Sequence, residues 1–429
     1  MPGLGKKKPV SCKASLLALD YASLMHTQDQ KRNGTGKTVL QTASQQEPPV
    51  FLMAAACYLI LANMYYAQPI LLDMAADVGL AVDASGCVIT MLQIGYALGI
   101  LLLGPLGDVV ENRKLIVGMT LGAGIGVALT AACHTIPFFL GFHLGIGIFS
   151  AATQVVIVFA VSLAPNHLRG RVLGMVTAGL FAGIVLARPT ASLVSGLLGW
   201  RGLYLTSAIA MLLLAWTLWR QLPSLQPAAS GMSYRATLSS LCTTAQSVPH
   251  LPVWLLLSSL SFAALTMFWT AAPLHLLYNR HLSHAELALF ALVGLASPPC
   301  VVFAGRLLDR GRGFGLRLWG TGVATGAWLM AYANDGTVLL MLAALLLDPG
   351  VNVTTVSVQQ AILAARPEAR ARCNALAVTA NFCGGALGAS LGPWLLGRYG
   401  WQAVALTGAF LLAIPFLLNV SLHAFKERP

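Results

Sequence analysis

Three ionisable side chains lie in long apolar stretches of the sequence, away from their ends: His143, Arg188 and Asp348. An ionisable group at the centre of a bilayer costs roughly 2.5–3.5 kcal/mol, so such a residue usually faces a cavity or a partner. Because burial favours the uncharged form of a carboxyl group, Asp348 is the first candidate for a proton acceptor. Pro349 and Gly350 follow it and predict a local helix break with free carbonyls beside the carboxyl group. The alternative is a structural aspartate bonded to a helix end or to a nearby serine.

The arginine of this set, Arg188, suits more than one role. It can neutralise an anionic substrate or pair with Asp348 across a cavity, and an ion pair that only fixes helix packing is the alternative. Uncharged polar side chains in the apolar stretches are candidates for orienting a substrate, although some will only form hydrogen bonds between helices, worth about 0.6 kcal/mol each. These candidates are Asn63, Tyr65, Tyr66, Gln68, Gln93, Gln154, Trp269, Asn352, Gln359, Gln360 and Asn381.

The composition identifies lipid as the solvent for most of the chain. Hydrophobic residues make up 57% of the 429 residues and charged residues only 9%, against roughly 25% charged in a soluble domain. A spanning helix needs about 20 mainly apolar residues. The sequence has twelve such stretches and predicts an all-α membrane protein with twelve transmembrane helices. Spans 1 to 12 are, in order, 50–72, 86–106, 115–134, 137–163, 172–197, 201–219, 252–277, 286–308, 317–333, 337–364, 374–396 and 402–424.

Polar segments divide the chain into five predicted parts. The N-terminal segment is basic and without periodicity, which indicates a disordered cytoplasmic tail, and Met25 is an alternative start. The longest interior polar stretch predicts a cytoplasmic linker between two six-helix bundles. The predicted parts are the tail 1–49, the first bundle 50–220, the linker 221–250, the second bundle 251–424 and the cytoplasmic C-terminus 425–429.

The positive charges fall on alternate sides of the predicted spans. Of the 26 Lys and Arg residues, 22 lie in the tail, the linker, the C-terminus and every second loop. Short cytoplasmic loops carry such an excess, so both termini are predicted to face the cytoplasm. The net charge of +12 therefore reflects membrane topology. No basic stripe with interleaved aromatic residues appears, and nucleic acid is not a predicted partner.

Three pairs of short motifs repeat with one constant offset of 201 residues. A constant offset across separate loops indicates two copies of one six-helix unit. Two parallel repeats are a transporter architecture with the substrate cavity at their interface, near the membrane midplane. The pairs are Gly104-Pro-Leu-Gly-Asp108 with Gly305-Arg-Leu-Leu-Asp309, Arg169-Gly-Arg171 with Arg370-Ala-Arg372, and Gly199-Trp200 with Gly400-Trp401.

The repeated loop after the second span of each half, Gly-x-Leu-x-Asp followed by basic residues, resembles the major facilitator superfamily over residues 50–424. Asn63-Met-Tyr-Tyr-Ala-Gln-Pro69, Ala187-Arg188-Pro189 and Gly199-Trp200-Arg201 resemble its drug/proton antiporter branch. The resemblance implies a monomer in the bacterial inner membrane that exports a small organic molecule in exchange for protons, by rocking of its two halves. A facilitator or importer of sugars, organic acids or amino acids is the alternative.

The resemblance also assigns a conformational latch to the loop after span 2. In the family, the loop aspartate bonds to the start of the eleventh helix and to neighbouring arginines. This sequence has Val109 and Glu111 in place of the usual arginine and glycine, which weakens the network or pairs Glu111 with a neighbouring cation. A charged turn that only sets topology is the alternative. The latch residues are Gly104, Leu106, Asp108, Arg113 and Lys114, and the pseudo-symmetric second copy comprises Gly305, Asp309, Arg310 and Arg312.

Within the family fold, helices 1, 4, 7 and 10 line the cavity, and the fourth carries a membrane arginine four residues before a glycine. Here His143 precedes Gly147 at that spacing. Histidine titrates near neutrality, whereas arginine stays charged. The resemblance therefore implies that His143 has taken over the coupling role or that this role is lost, and a hydrogen-bonded packing histidine is the alternative.

Two further motifs are rejected as cofactor sites. Gly34-Thr-Gly36-Lys37-Thr38 lacks the earlier glycine and the preceding strand of a phosphate-binding loop. The histidines of the 275–284 segment are expected to lie in a solvated loop, because no cysteine and no cluster of carboxylates accompanies them, so no metal and no cofactor are predicted. A membrane enzyme would need a nucleophile and base at one depth, and none is evident. A non-transporting sensor would use the basic tail to bind a partner.

Overall fold

The computed structural model describes residues 49–225, 234–248, 250–366 and 369–426, without the side chains of Asp108, Cys242 and residues 422–426. Nearly all of the predicted tail and residues 427–429 lie outside the described residues. Helices are the regular elements of the described ranges. They are Val50–Tyr65, Leu71–Val78, Cys87–Leu103, Asn112–Ala132, Ile136–Ser150, Ala152–Leu163, Arg169–Gln221, Tyr234–Ser247, Leu251–Arg280, His284–Leu292, Ser297–Leu308, Gly313–Ala333, Thr337–Ala365 and Arg370–Lys426, with 3-10 turns at Val82–Ala84, Gly104–Asp108 and Val293–Ala296.

The helices match the twelve predicted spans. Eight helical stretches of the described chain are long and apolar enough to cross a membrane. Two of them, Arg169–Gln221 and Arg370–Ser421, hold 53 and 52 residues, which is enough for two crossings each at about 20 residues per crossing. Two more helices, Val50–Tyr65 with 16 residues and Gly313–Ala333 with 21, supply spans 1 and 9. The predicted all-α membrane fold is confirmed.

Two glycines related by the 201-residue offset join consecutive spans. Gly199, between spans 5 and 6, has φ 71° and ψ 167°. Gly400, between spans 11 and 12, has φ 78° and ψ −177°. Backbone with this combination of angles is accessible essentially to glycine alone. In each half, therefore, a single glycine reverses the direction of the chain between two spans, where the sequence predicted a short loop.

Span 10 differs from its prediction, because its helix Thr337–Ala365 continues through Pro349 and Gly350. The predicted local break beside Asp348 is wrong. Gly350 instead permits close packing against span 9, since a Cβ at this position would meet the carbonyl oxygen of Gly320 at 2.8 Å. The backbone carbonyl of Asp348 accepts a hydrogen bond from Asn352 Nδ2 at 2.9 Å. Packing of spans 9 and 10 thus holds the proline inside a continuous helix.

Span 8 contains the irregular backbone that span 10 lacks. Its two helices, His284–Leu292 and Ser297–Leu308, are separated by the 3-10 turn Val293–Ala296. Pro298 and Pro299 follow that turn, within the first helical turn of Ser297–Leu308, where proline is tolerated. Irregular backbone at membrane depth is tolerated where protein or a cavity covers it. This turn faces span 10, because a Cβ built at Gly294 would lie 3.3 Å from Asp348 Oδ2.

Buried apolar side chains form one large cluster in each half. The first runs from Met53 to Leu222 and includes Leu274, Phe382 and Ala389 of the other half. The second runs from Ala263 to Leu412. Many large apolar side chains on the outside are exposed, with Leu197 at 84%, as a lipid-facing surface requires. The site lies between the two clusters.

Candidate functional site

A small cavity lies between spans 1 and 5 of the first half and spans 7 and 10 of the second. Its volume open to the centre of a water molecule is about 40 Å³, which is room for a few ordered waters. Six of the predicted site residues line it together with four that the sequence did not indicate. The lining residues are Tyr65, Gln68, Ile184, Arg188, Phe262, Leu265, Thr266, Trp269, Asp348 and Asn352.

The guanidinium group of Arg188 is held by one amide and two aromatic rings. Its Nε donates a hydrogen bond to Gln68 Oε1 at 2.7 Å. Its Cζ lies 4.1 Å from the ring centre of Trp269 and 5.2 Å from that of Tyr65. Cation–π contacts of this kind stabilise a desolvated guanidinium group by up to about 2 kcal/mol. Arg188, only 5% exposed, is thus kept charged and oriented inside the protein.

The carboxyl group of Asp348 is buried and only partly satisfied by hydrogen bonds. Its Oδ1 accepts from Asn352 Nδ2 at 2.8 Å, and the same amide donates to Ser297 Oγ at 2.9 Å. The indole N–H of Trp269 is buried beside the carboxyl group without a hydrogen bond of normal geometry. Span 8 closes over Oδ2 with Gly294, where a Cβ would lie 3.3 Å from that oxygen.

Arg188 and Asp348 share the cavity without forming an ion pair. Among the described residues, no Arg or Lys nitrogen lies within 4.0 Å of the Asp348 carboxyl oxygens. The predicted direct pairing across the cavity is therefore absent from this conformation. The two groups face one enclosed space, where a proton, a water molecule or a polar group of a ligand can lie between them.

His143, the other ionisable residue predicted inside a span, lies outside this cavity. Its Nδ1 is 2.7 Å from the carbonyl oxygen of Phe139, and its Nε2 is 3.4 Å from the hydroxyl group of Tyr204. The ring also packs edge-on against Phe139. The structure thus separates His143 from Asp348 and Arg188 and places it in an aromatic cluster within the first half.

Several of the predicted polar candidates form hydrogen bonds between spans and do not line the cavity. Asn63 accepts from Ser207 Oγ at 2.6 Å, Asn381 accepts from Ser258 Oγ at 2.6 Å, and Gln154 donates to Tyr96 at 3.1 Å. The amide of Gln359 donates to Asn374. Tyr66 is buried outside the cavity lining, Gln93 is buried with its Oε1 unpaired, and Gln360 is exposed.

The loop predicted as a latch forms a 3-10 turn, Gly104–Asp108. The side chain of Asp108 lies outside the described residues. Lys114 forms an ion pair with Glu111 at 2.8 Å, which is one of the two outcomes considered for Glu111. Arg113 lies 4.3 Å from the ring centre of Trp219. In the second copy, Gly305 lies within a helix, and Asp309 and Arg310 are exposed.

The two halves meet at the end of the bundle that contains Gly199, named here the Gly199 end; the opposite end is the Gly104 end. Thr90 Oγ1 in span 2 donates to the carbonyl oxygen of Ala386 in span 11 at 3.1 Å. A Cβ at Gly86 would fall on the carbonyl oxygen of Ala389. His284 Nε2, at the start of span 8, lies 3.8 Å from the Asp73 carboxylate. Spans 2 and 11 therefore close the bundle at this end.

Four cavity residues were missed from the sequence: Ile184, Phe262, Leu265 and Thr266. Three of them are apolar, and hydropathy does not distinguish an apolar residue facing a cavity from one facing lipid. The approach of span 8 to the Asp348 carboxyl group was also not predicted, although Pro298 and Pro299 indicate an irregular backbone there. Within the described ranges, no group of three or more His, Cys, Asp and Glu side chains is arranged to hold a metal ion.

Comparison with known proteins agrees with the fold. The sequence model of the Major Facilitator Superfamily matches residues 51–365 and 254–429. The uncharacterized transporter YgaY of Escherichia coli O157:H7 is 34% identical over 371 residues, which cover 86% of this chain and 94% of YgaY. A chloramphenicol resistance protein of Streptomyces lividans is 25% identical over 267 residues, covering 61% of this chain and 67% of that protein.

Among solved structures, a bacterial homologue of the human lysosomal transporter Spinster, in an inward-facing and occupied conformation, superposes with a TM-score of 0.73. The match covers 89% of this chain and 97% of that structure at 14% sequence identity. At this identity the likeness concerns the fold alone.

Proposed function

The chain belongs to the Major Facilitator Superfamily, and on this basis we propose that it is a proton-coupled exporter of a small organic molecule. Its character as a multi-pass membrane transporter follows from the family and the fold. The proton coupling and the direction of transport are the proposal. One observation carries it: a carboxyl group, Asp348, and a guanidinium group, Arg188, are enclosed in one cavity between the two halves.

The charge of this cavity depends on one proton. Arg188 remains charged under all physiological conditions, whereas a carboxyl group gains and loses a proton. The pair therefore has no net charge when Asp348 is ionised and a charge of +1 when Asp348 is protonated. A ligand that donates a hydrogen bond or carries positive charge favours the ionised carboxylate. Such a ligand displaces the proton, which is the exchange that an antiporter requires.

The surroundings of the Asp348 carboxyl group support this exchange. Asn352 donates to one carboxyl oxygen at 2.8 Å, and the buried indole N–H of Trp269 lies beside the group. The nearby guanidinium group of Arg188 and the hydrogen bond from Asn352 stabilise the ionised form, whereas enclosure in protein stabilises the neutral form. Opposing influences therefore act on the ionisation state of Asp348, and a ligand in the cavity adds to one side or the other.

The cavity size requires the two halves to move. Sites for small organic ligands have volumes of roughly 300–1,000 Å³, while this cavity offers about 40 Å³ to the centre of a water molecule. A substrate therefore enters only after the halves separate at one end. Proton and substrate drive transport because each binds the two conformations with different affinity.

The substrate class follows from the lining. Tyr65, Phe262 and Trp269 offer aromatic surface, while Gln68 and Asn352 offer amide groups. This combination suits an amphipathic organic molecule with a ring and a few polar groups. Chloramphenicol is such a molecule, and the name of the Streptomyces lividans relative makes it the first compound to test.

The predicted topology completes the proposal. The Gly104 end and both termini face the cytoplasm of a bacterial cell, the Gly199 end faces the outside of the inner membrane, and one chain transports by itself. Cysteines introduced at Arg113 and Arg317 should react with an impermeant thiol reagent only in everted vesicles. Reaction of the two positions from opposite sides would overturn the topology.

Transport in everted membrane vesicles tests the function. We expect chloramphenicol to be accumulated when a pH gradient is imposed and to dissipate that gradient. Asp348→Asn should abolish both effects, and Asp83→Asn, which removes a carboxyl group outside the cavity, should leave them intact. Full proton-coupled transport by Asp348→Asn would refute the role of Asp348. Uptake of sugars, organic acids or amino acids in right-side-out vesicles, without effects of chloramphenicol, would favour the facilitator or importer.

A further inference from the structure

A second cavity lies away from the transport site, on the outside of the first half at the Gly104 end. It is a groove between spans 3 and 6 with a volume of about 430 Å³, within the range of roughly 300–1,000 Å³ that small-molecule sites occupy. The groove is apolar along its length, and Lys114 is the one charged residue among those that line it. Its main lining residues are Lys114, Val117, Leu121, Leu212, Trp216 and Trp219.

The floor of the groove contains a glycine, which leaves space that a larger residue would fill. Gly118 lines it, and no atom lies within 4 Å of the place where a Cβ of this residue would be. The walls are exposed on the outside of the bundle, Trp216 at 61% and Leu212 at 46%. In the proposed orientation this trough is open to the lipid, and a flexible apolar chain fits along it.

The mouth of the groove is positively charged. The guanidinium group of Arg113 lies 4.3 Å from the ring centre of Trp219, and that of Arg220 lies 5.6 Å from the ring centre of Trp216. Lys114 is exposed at the mouth and pairs with Glu111 at 2.8 Å. Three cations and one carboxylate leave a net charge of +2 at the point where the apolar trough ends.

Arg113 retains capacity to bind a ligand. Its Nε is buried without a hydrogen-bond acceptor among the described residues. One terminal nitrogen donates only a long bond, 3.5 Å, to the carbonyl oxygen of Leu222. A guanidinium group has five N–H donors and binds phosphate groups well. An anionic oxygen entering the mouth would therefore satisfy donors that the protein leaves open.

The position of the groove specifies the class of ligand. Its mouth lies where span 3 begins and span 6 ends, at Asn112 and Gln221, which is the depth of the lipid headgroups. Tryptophan is enriched at this depth, and basic pockets between membrane helices at the cytoplasmic side bind anionic headgroups. A soluble substrate has no access from lipid, and a zwitterionic lipid gains little from the net charge.

We propose that this groove binds one molecule of an anionic phospholipid. One acyl chain lies along Gly118 and Leu121, between the tryptophan walls, and the headgroup phosphate lies at the mouth among Arg113, Lys114 and Arg220. Glu111 competes with the phosphate for Lys114, so it weakens binding. This site is independent of the direction of transport and of the proton coupling proposed above.

Lipid titration followed by native mass spectrometry of the purified, delipidated protein tests the proposal. The probes are dioleoyl phosphatidylglycerol and dioleoyl phosphatidylcholine, which share their acyl chains and differ in headgroup charge. We expect one phosphatidylglycerol molecule to bind at least about tenfold more tightly than phosphatidylcholine, since each nearby Lys or Arg contributes about fivefold in affinity for an anionic surface. Equal binding of the two lipids would overturn the proposal.

Two matched glycine variants locate the bound lipid. Gly118→Leu fills the groove without an internal clash, and Gly141→Leu adds the same side chain at another exposed glycine that has no atom within 4 Å of its Cβ position. We expect Gly118→Leu to remove the preference for phosphatidylglycerol and Gly141→Leu to retain it. An unchanged preference in Gly118→Leu, or equal loss in both variants, would contradict the proposed location.

Two neighbouring charge variants must act in opposite directions and do not depend on filling the groove. Lys114→Gln removes a cation and should lower the preference for phosphatidylglycerol about fivefold. Glu111→Gln releases Lys114 from its ion pair and should raise that preference. A change in the same direction, or no change in either variant, would show that the mouth of the groove does not bind the headgroup.

Discussion

Replacing Gly86 by alanine is expected to open the Gly199 end of the bundle. A Cβ built at Gly86 would lie well inside 3.0 Å of the Ala389 carbonyl oxygen and 3.1 Å from Pro393 Cγ. The obstructing atom belongs to the backbone of span 11, so a side-chain rotation cannot relieve the contact. The backbone of Gly86 is helical, with φ −55° and ψ −22°, so alanine is compatible with its local conformation. The added methyl group therefore acts against the contact between spans 2 and 11.

The size of the effect follows from overpacking. Forcing one extra carbon into a close-packed contact costs about 1–3 kcal/mol. The cost applies to the conformation in which the Gly199 end is closed and disappears when spans 2 and 11 separate. A free-energy difference of this size changes the ratio of the two conformations about 5- to 150-fold.

Thiol accessibility measures this ratio. Ile184→Cys, in a background without the native cysteines, places one thiol in the central cavity. An impermeant methanethiosulfonate reagent applied to right-side-out vesicles should modify it about 5- to 150-fold faster when Gly86→Ala is present. Gly141→Ala is the matched control, because it adds the same methyl group at an exposed glycine where no atom lies within 4 Å.

Alternating access predicts a second result in the same experiment. Everted vesicles carrying Gly86→Ala should show slower modification of the cavity thiol, because the opposite conformation loses population. Equal rates for Gly86→Ala and Gly141→Ala from both sides would show that the contact at Gly86 does not hold this end closed. A lower melting temperature without any change in accessibility would show that the contact serves stability alone.

Three further predictions concern the other features. Gln68→Leu removes the acceptor of the Arg188 Nε–H and should lower the free energy of unfolding by about 1–3 kcal/mol, measured by denaturant titration in detergent; Gln360→Leu, at an exposed position, should not. Gly199→Ala should cost about 1–3 kcal/mol in the same assay, because φ is 71° at this residue. Hydrogen bonds lower the pKa of Glu111, the one from Lys114 more than the one from Ser224. The stabilising effect of the ionised Glu111 on the fold is therefore present at neutral pH and is lost as the pH falls through that lowered pKa. The melting-temperature difference between the wild type and Glu111→Gln should therefore vanish in acid.

Much of the fold is encoded in hydropathy and in the 201-residue repeat. Apolar stretches of membrane-spanning length predict the twelve spans, and the equivalent glycines Gly199 and Gly400 adopt nearly the same backbone angles. The break predicted at Pro349 was wrong, because the tight approach of span 9 holds that helix together. Span 8 breaks where two prolines follow a glycine-containing turn. Proline alone does not determine which helix is interrupted. The outcome also depends on whether the neighbouring helix covers the backbone carbonyl groups that lose their hydrogen-bond donor at the proline.

The site was predicted in part, for a physical reason. Arg188 and Asp348 are identifiable because ionisable residues are costly in lipid and must face the interior. His143 meets the same criterion, yet its two ring nitrogens lie against Phe139 and Tyr204. The sequence indicates that a polar group lies inside the protein. The sequence does not indicate whether that group faces a cavity or another helix, because both surroundings are away from lipid.

Proton release by the purified protein shows whether substrate and proton compete for Asp348. Chloramphenicol is added to protein in weakly buffered detergent solution, and a pH indicator dye follows the protons released. We expect release of up to one proton per protein molecule, largest at a pH where Asp348 is mostly protonated, and no release from Asp348→Asn. Binding of chloramphenicol without proton release at any pH, or equal release by Asp348→Asn, would contradict the claim that ligand and proton compete at this carboxyl group.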